Sequence, residues 1–313
     1  MLGAGGTVGH AFHAGTLAAL AEAGWDARDA TVIVGTSTGA VTGALLRAGM
    51  SPADMAARVT GGTVSATGRR LLDEGGGWPT FTADMAHGSG RPLRPSSPRL
   101  LAELARRPWR ARPGIILAAL TAAGSVSTRP IADGFNHLFG ECWPDRPLWV
   151  CAVDLDRGER VVFGHPDAPE TDVGTAVAAS SAVPTFFEPV VVAGRRFIDG
   201  GAHSPVNGDV IADALGELDA VVVSAPMGIG GPPGRVGVDL PGRLLNHFFA
   251  VHELRRVARS GVLVLGFEPH ASELELMHYN AFDPTHRSEI VRRAFAAARE
   301  RAGALLAPAR VPG

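Results

Sequence analysis

The stretch Thr31-Val32-Ile33-Val34-Gly35-Thr36-Ser37-Thr38-Gly39-Ala40 decides the fold. Its first four residues form a β-branched run, which predicts a buried strand. Gly35 to Gly39 fits the pattern G-x-S-x-G, and Ala40 to Ala48 reads as a helix closed by Gly49. A sharp turn between strand and helix holds Ser37 in a strained backbone position, and glycines on either side let the two elements pass without a Cβ clash. The helix N-terminus beneath favours developing negative charge. Ser37 is therefore a candidate nucleophile, with Gly35 and Gly39 supporting the elbow. The plainer alternative is an ordinary βα turn, since turns containing Gly and Ser are common.

Upstream lies Gly3-Ala4-Gly5-Gly6-Thr7-Val8-Gly9, followed by a helical stretch from His10 to Ala23 with Gly24 as its stop. A dinucleotide fingerprint fails here. Its third glycine would fall at Val8, and Gly35 rather than an acid follows the next strand. Consecutive glycines at a helix start do leave backbone N–H groups free to meet an anion, which makes Gly5, Gly6 and Thr7 a candidate oxyanion loop. Downstream, 148–153, 160–163, 220–224 and 262–265 read as strands, and 190–192 and 196–198 as a hairpin around Gly194. Residues 173–182, 244–257 and 288–306 read as helices. Between these blocks, 60–147 is rich in Gly, Pro, Arg and Trp, with apolar helical patches at 100–104 and 115–120. The expectation is one three-layer α/β domain over 1–313, with a mainly parallel central sheet and an inserted cap at 60–145.

A third element is Asp199-Gly200-Gly201, directly after Arg196-Phe197-Ile198. An Asp at a strand end followed by two glycines can hold its carboxylate at the edge of the sheet. Taken alone, it reads equally as a turn Asp.

Together the glycine loop, the G-x-S-x-G elbow and the D-G-G triplet resemble the patatin-like phospholipase family, in the family's order. Ala179-Ser180-Ser181-Ala182-Val183-Pro184 and Phe187-Glu188-Pro189 upstream of the Asp, and Ser204-Pro205-Val206-Asn207 after it, extend the resemblance. It covers roughly residues 1 to 225 in blocks, less clearly 60–145. The resemblance implies a serine acyl hydrolase of lipid esters: phospholipids, lysophospholipids or acylglycerols. It implies Ser37 as nucleophile, Asp199 as general base and Gly5, Gly6 and Thr7 as oxyanion donors, with no calcium or other cofactor. Two features depart from the family pattern. Val8 stands where Arg or Lys is frequent, and only Met1 and Leu2 precede the glycine loop, where the family has its first strand. The expectation is then either a start upstream of Met1 or a sheet that loses much of one strand.

Two rival readings remain at this level. One is a His-assisted carboxylesterase, for which His252, His270, His278 and His286 qualify by chain order and His13 and His203 by position, the last two reading better as packing groups. The other is a catalytically silent lipid-binding or scaffolding protein of the same fold.

Composition narrows the field further. The 29 basic residues are all Arg and face 31 acids, for a formal net charge of -2. That argues against nucleic acid as a partner. Without Lys there is no Walker A loop, Schiff base or Ser-Lys dyad. Two cysteines, Cys142 and Cys151, make neither a disulfide framework nor a zinc site unaided. No H-E-x-x-H or C-x-x-C occurs, and Asp154 and Asp156 read as turn residues rather than metal ligands. Neither a signal peptide nor an apolar run long enough to span a bilayer is visible. A cytoplasmic protein is expected, with peripheral membrane contact through the Arg-rich segment 91–112 and its Trp109.

Overall fold

A computed structural model describes residues 1–75, 94–110, 112–140, 142–232, 239–277 and 281–306. Seven strands occur among them: β1 Ile33–Thr36, β2 Leu148–Asp154, β3 Glu159–Phe163, β4 Val190–Val192, β5 Arg195–Asp199, β6 Ala220–Ser224 and β7 Leu263–Phe267. The helices are α1 Gly6–Glu22, α2 Thr38–Arg47, α3 Pro52–Thr60, α4 Ala66–Glu74, α5 Pro98–Arg106, α6 Pro113–Leu120, α7 Arg129–Phe139, α8 Val173–Ser180, α9 Leu240–Arg259, α10 Ala271–Leu274 and α11 Arg287–Leu306.

The chain is an α/β protein with a mixed sheet. β1 runs parallel to the first half of β2, from Ile33 opposite Leu148 to Thr36 opposite Cys151. At Thr36 the chain turns off into α2, and β5 takes over the same edge of β2, antiparallel, with Asp199 opposite Ala152. β3 lies antiparallel on the other edge of β2, and β4 antiparallel on β5. β6 and β7 are parallel. Leu2 bridges Gly35 on one side and Ser224 on the other, so Met1 to Gly3 occupy the strand position between β1 and β6. The expected parallel pairing thus holds on the side that carries Ser37. The side that carries Asp199 is antiparallel: β5 runs against β2, and the short β2–β3 and β4–β5 connections add two further antiparallel pairs.

Beside Leu2 lies a cavity of about 380 Å³, lined in part by Val32, Ile33, Ala220 and Val222. The Met1 amine donates to Val222 O at 2.7 Å, and its burial pushes the amine's pKa down to about 5.

Alternation along the strands builds three layers. Ile33, Leu148, Val150 and Ala152 face a core with Leu17, Leu45, Phe135, Val177 and Ile290. Val34 and Cys151 face the opposite core, with Val206, Ile211, Val221, Ala250 and Val257. α1 is buried almost all round, as a helix between a sheet and a second helical layer must be. Its Gly15 lies where a Cβ would meet the Val291 carbonyl of α11. α1 begins at Gly6 inside the glycine loop, one turn before the sequence expectation. α3 and α4 are short, and each has a serine N-cap: Ser51 accepts from the Asp54 N–H and Ser65 from the Gly68 N–H. Within 60–145, Leu100, Leu104, Ile115 and Ala118 of α5 and α6 pack on Val153, Leu155 and Ile198, while Leu71 and Phe135 join the main core.

Candidate active site

β1 ends at Thr36, and Ser37 follows with φ 55° and ψ −121°, a conformation non-glycine residues rarely adopt. The turn is over-determined by its neighbours. A Cβ on Gly35 would collide with Ala40 of α2, and one on Gly39 with the Leu2 carbonyl, so both glycines are required by close approach. The Ser37 N–H donates to Ser180 Oγ at 2.8 Å, and Ser180 in turn donates to Cys151 O at 2.6 Å. α8 therefore pins the elbow to β2 through one hydroxyl.

Asp199 arrives from the other direction. Its N–H donates to Ala182 O at 3.0 Å, and its Oδ1 accepts the Gly201 N–H at 2.7 Å. A Cβ on Gly200 would enter the Cys151 carbonyl, which fixes that glycine against β2. Asp199 is 6% exposed. Burial pushes its carboxyl up to about 6, while hydrogen bonding to the Ser37 side chain and the Gly201 N–H draws it the other way. Because β1 and β5 share one edge of β2, Ser37 and Asp199 leave that edge at adjacent positions.

The glycine loop closes the third side. Ala4 N–H donates to Pro205 O and Gly3 N–H to Ser224 O, at 2.8 and 2.9 Å. Gly5 is the N-cap of α1, and Gly6 has φ 59° with Ala281 packed against it. The Val8 N–H is taken by Ala281 O at 3.1 Å. The N–H groups of Gly5, Gly6 and Thr7 find no acceptor among the described residues, as expected for the first turn of an uncapped helix. Thr7 Oγ1 is also buried and unpartnered.

A cavity of about 250 Å³ opens on this junction, lined by Gly6, Thr7, Ser37 and Thr38 on one side and by Val41, Ile131, Val183 and Phe282 on another. Of the residues singled out in sequence, Ser37, Gly6 and Thr7 line it. Asp199 and Gly5 stand behind its wall, as do the elbow glycines. Four further residues contribute, of which only Asn207, in the Ser204-Pro205-Val206-Asn207 segment, carried a readable signal. Asn207, with φ 54°, donates through Nδ2 to Thr36 Oγ1 and Ser204 O, at 3.1 and 2.6 Å, bracing elbow and Asp loop from behind. His10 lines the cavity with its Nδ1 on Thr42 Oγ1 at 3.1 Å. Arg58 and Arg287 line it as well.

The histidines do not assemble a triad among the described residues. His10 is driven down to about 3, first by burial and then by Arg58, His13 and Arg287. His13 is locked between Ser224 Oγ and Gly3 O, at 2.8 and 2.9 Å. His203 pairs with Asn207 Oδ1 at 3.1 Å and lines a separate cavity with Arg112 and Arg160. His252, His270 and His286 are absent from the cavity lining, and His278 lies outside the described residues. Among the described residues, no cluster of potential metal ligands occurs and no helix is long and apolar enough to cross a membrane.

A strained serine at a strand–helix elbow, a buried carboxylate beside it and N–H groups without a side-chain cap at a helix start meet on an α/β scaffold, an arrangement that nucleophilic acyl transfer can use. The family comparison agrees: the patatin-like phospholipase family matches residues 1–210, and the chain belongs to that family. At family level this places it among lipid acyl hydrolases. No match to a curated protein was found.

Proposed function

We propose that the chain hydrolyses carboxylic esters of phospholipids, lysophospholipids or acylglycerols through a Ser37–Asp199 dyad. One observation carries the reading. β5 replaces β1 on the same edge of β2 at the residue where the elbow begins, so a buried carboxylate with a pKa near 6 adjoins a strained serine. In acylation, Ser37 Oγ attacks the ester carbonyl carbon while its proton passes to Asp199. The carbonyl oxygen becomes an oxyanion and takes the N–H groups of Gly5, Gly6 and Thr7 as donors. The C–O bond then breaks, and the alcohol leaves with the proton from Asp199. In deacylation, water gives a proton to Asp199 and attacks the acyl-serine. The fatty acid departs, and Ser37 regains its hydrogen. A base with a pKa near 6 is ionised at neutral pH and still accepts a proton readily. His10, driven to about 3, is too weak a base for that role.

The same reading includes contact with an anionic lipid surface. Trp109 is 79% exposed, with Arg106 and Arg107 also exposed beside it, an arrangement suited to a headgroup layer. Arg91 and its neighbours to Leu93 lie outside the described residues. The proposed setting is cytoplasmic, and both cysteines are free thiols.

Hydrolysis of p-nitrophenyl esters of graded chain length, with wild type beside Ser37→Ala and Asp199→Asn, tests the dyad. Both variants should lose several orders of magnitude in kcat/KM, and a fluorophosphonate should label wild type but not Ser37→Ala. A wild type that neither turns over nor labels moves the assignment to a silent lipid binder. Retained activity in Asp199→Asn moves it to a His-assisted esterase.

A further inference from the structure

Two guanidinium groups share the cavity with Ser37 and, among the described residues, lack a carboxylate partner. Arg58 comes from α3 and Arg287 from the first turn of α11, far apart in sequence. Ser288 Oγ donates to Val59 O at 3.0 Å, which ties the two elements together at this point. Among the described residues, neither Arg has an ion pair and no carboxylate lines the cavity, although arginines elsewhere on the chain routinely pair with Asp or Glu. Arg287 Nε is buried and makes no hydrogen bond. Arg58 is held below its ordinary value by burial and by the Arg287 charge. Asp199 is not their counter-ion, since burial, Ser37 and Gly201 set its protonation and no guanidinium acts on it. Ser181 Oγ, also on the cavity wall, is a further buried polar atom without a partner.

Two like charges held in one half-closed cavity repel each other and lose hydration. Such a pair is complemented by an anion able to take several N–H donors at once, as phosphate and carboxylate do. We propose that Arg58 and Arg287 form a subsite for a negatively charged oxygen group on the ester substrate, so that the enzyme selects anionic esters over neutral ones. This rests on the reading of Ser37 as the nucleophile, because the anion would lie in the cavity that receives the ester. The residues come from beyond the family signatures. Arg58 lies within the family match, and Arg287 and Phe282 lie after residue 210, outside it.

Two substrate pairs separate the possible sources of the anion. The first is hexanoyl-glycerol 3-phosphate against monohexanoylglycerol, and the second is p-nitrophenyl hemiglutarate against p-nitrophenyl valerate. In wild type, kcat/KM should favour the charged member of at least one pair. In Arg58→Gln and Arg287→Gln the charged-to-neutral ratio should fall about tenfold or more, chiefly through KM, and Arg287→Lys should restore part of it. The pair that responds identifies phosphate or carboxylate. Binding of hexyl phosphate and of hexanoate to Ser37→Ala, measured by calorimetry, gives a readout that needs no turnover. Adding Arg58→Gln to that background should abolish it, with circular dichroism confirming the fold. Charged-to-neutral ratios that change less than threefold in both Gln variants, or anion binding that survives Arg58→Gln, overturn the subsite. Anion binding that depends on Arg58 in a wild type that hydrolyses no ester leaves the subsite standing and removes the hydrolase reading instead.

Discussion

Replacing Asp199 by Asn should abolish activity and make the protein more stable. The carboxyl sits at about 6 in the folded chain against an ordinary value of 3.8, a rise of about two pH units. At 1.36 kcal/mol per unit, that is at most about 3 kcal/mol of native-state destabilisation once the group is ionised in both states. The sign follows from proton binding. Between 3.8 and 6 the folded state holds the proton more tightly, so stability falls as pH rises through that window and the whole cost is present above it. Asn keeps an acceptor for the Gly201 N–H but carries no charge to desolvate. Urea unfolding of wild type and Asp199→Asn at pH 5 and pH 8 measures the difference. The variant should be the more stable by up to about 3 kcal/mol at pH 8 and by about half as much at pH 5. An Asn variant less stable than wild type at pH 8, or a gap independent of pH, would refute the placement of a charged, desolvated base behind Ser37.

Four further outcomes are expected. In wild type, log kcat/KM should rise with pH up to about 6 and level above it, as Asp199 ionises; a profile still climbing through pH 8 identifies a different base. Gly39→Ala should cost about 3 kcal/mol in urea unfolding, because its Cβ would meet the Leu2 carbonyl and nothing flexible can yield; a loss under 1 kcal/mol contradicts that packing. Ser180→Ala strands the Ser37 N–H and the Cys151 carbonyl, both buried. It should cost about 1–3 kcal/mol and lower kcat more than it raises KM, whereas an effect on stability alone means that Ser180 does not position the elbow. Trp109→Ala should weaken co-sedimentation with phosphatidylglycerol vesicles several-fold; equal loss on phosphatidylcholine, or none, removes the proposed surface.

The sequence exposed those parts of the molecule that depend on local backbone chemistry. Gly35 and Gly39 are spaced as a strand–helix elbow requires, and consecutive glycines at 5 and 6 mark an uncapped helix start. Both signals are short-range, and both fall where the structure places the corresponding turns. The Asp199 signal was weaker, since a strand-end Asp is common. Its meaning depends on β5 succeeding β1 along β2, a long-range register that no pentapeptide encodes. The antiparallel half of the sheet was hidden for the same reason. α3, α4 and α7 were obscured by short length and mixed composition, although the serines at 51 and 65 are legible caps in retrospect. Arg58, Arg287 and His10 were unreadable as a group. The chain is rich in Arg throughout, and only the packing of α11 on α1 and α3 brings these residues to one cavity.

The site's departures from ideal folding share one electrostatic direction. Among the described residues, three N–H groups at the start of α1 lack acceptors, two buried hydroxyls lack partners, and two guanidinium groups share the cavity without a carboxylate. Each is unfavourable without a partner, and negative charge arriving in the same cavity would relieve each. Asp199 stands behind the wall, where burial rather than cationic neighbours governs it. Had Arg58 or Arg287 been close enough to pair with it, its pKa would fall below the ordinary carboxylate range, and it would make a poor base at neutral pH. In the proposed mechanism, separating the cations from the base would let one pocket attract an anionic ester while Asp199 still accepts the serine proton. Such a separation follows from the topology. The base arrives on β5 through the sheet, while the arginines arrive on α3 and α11 from the helical layer.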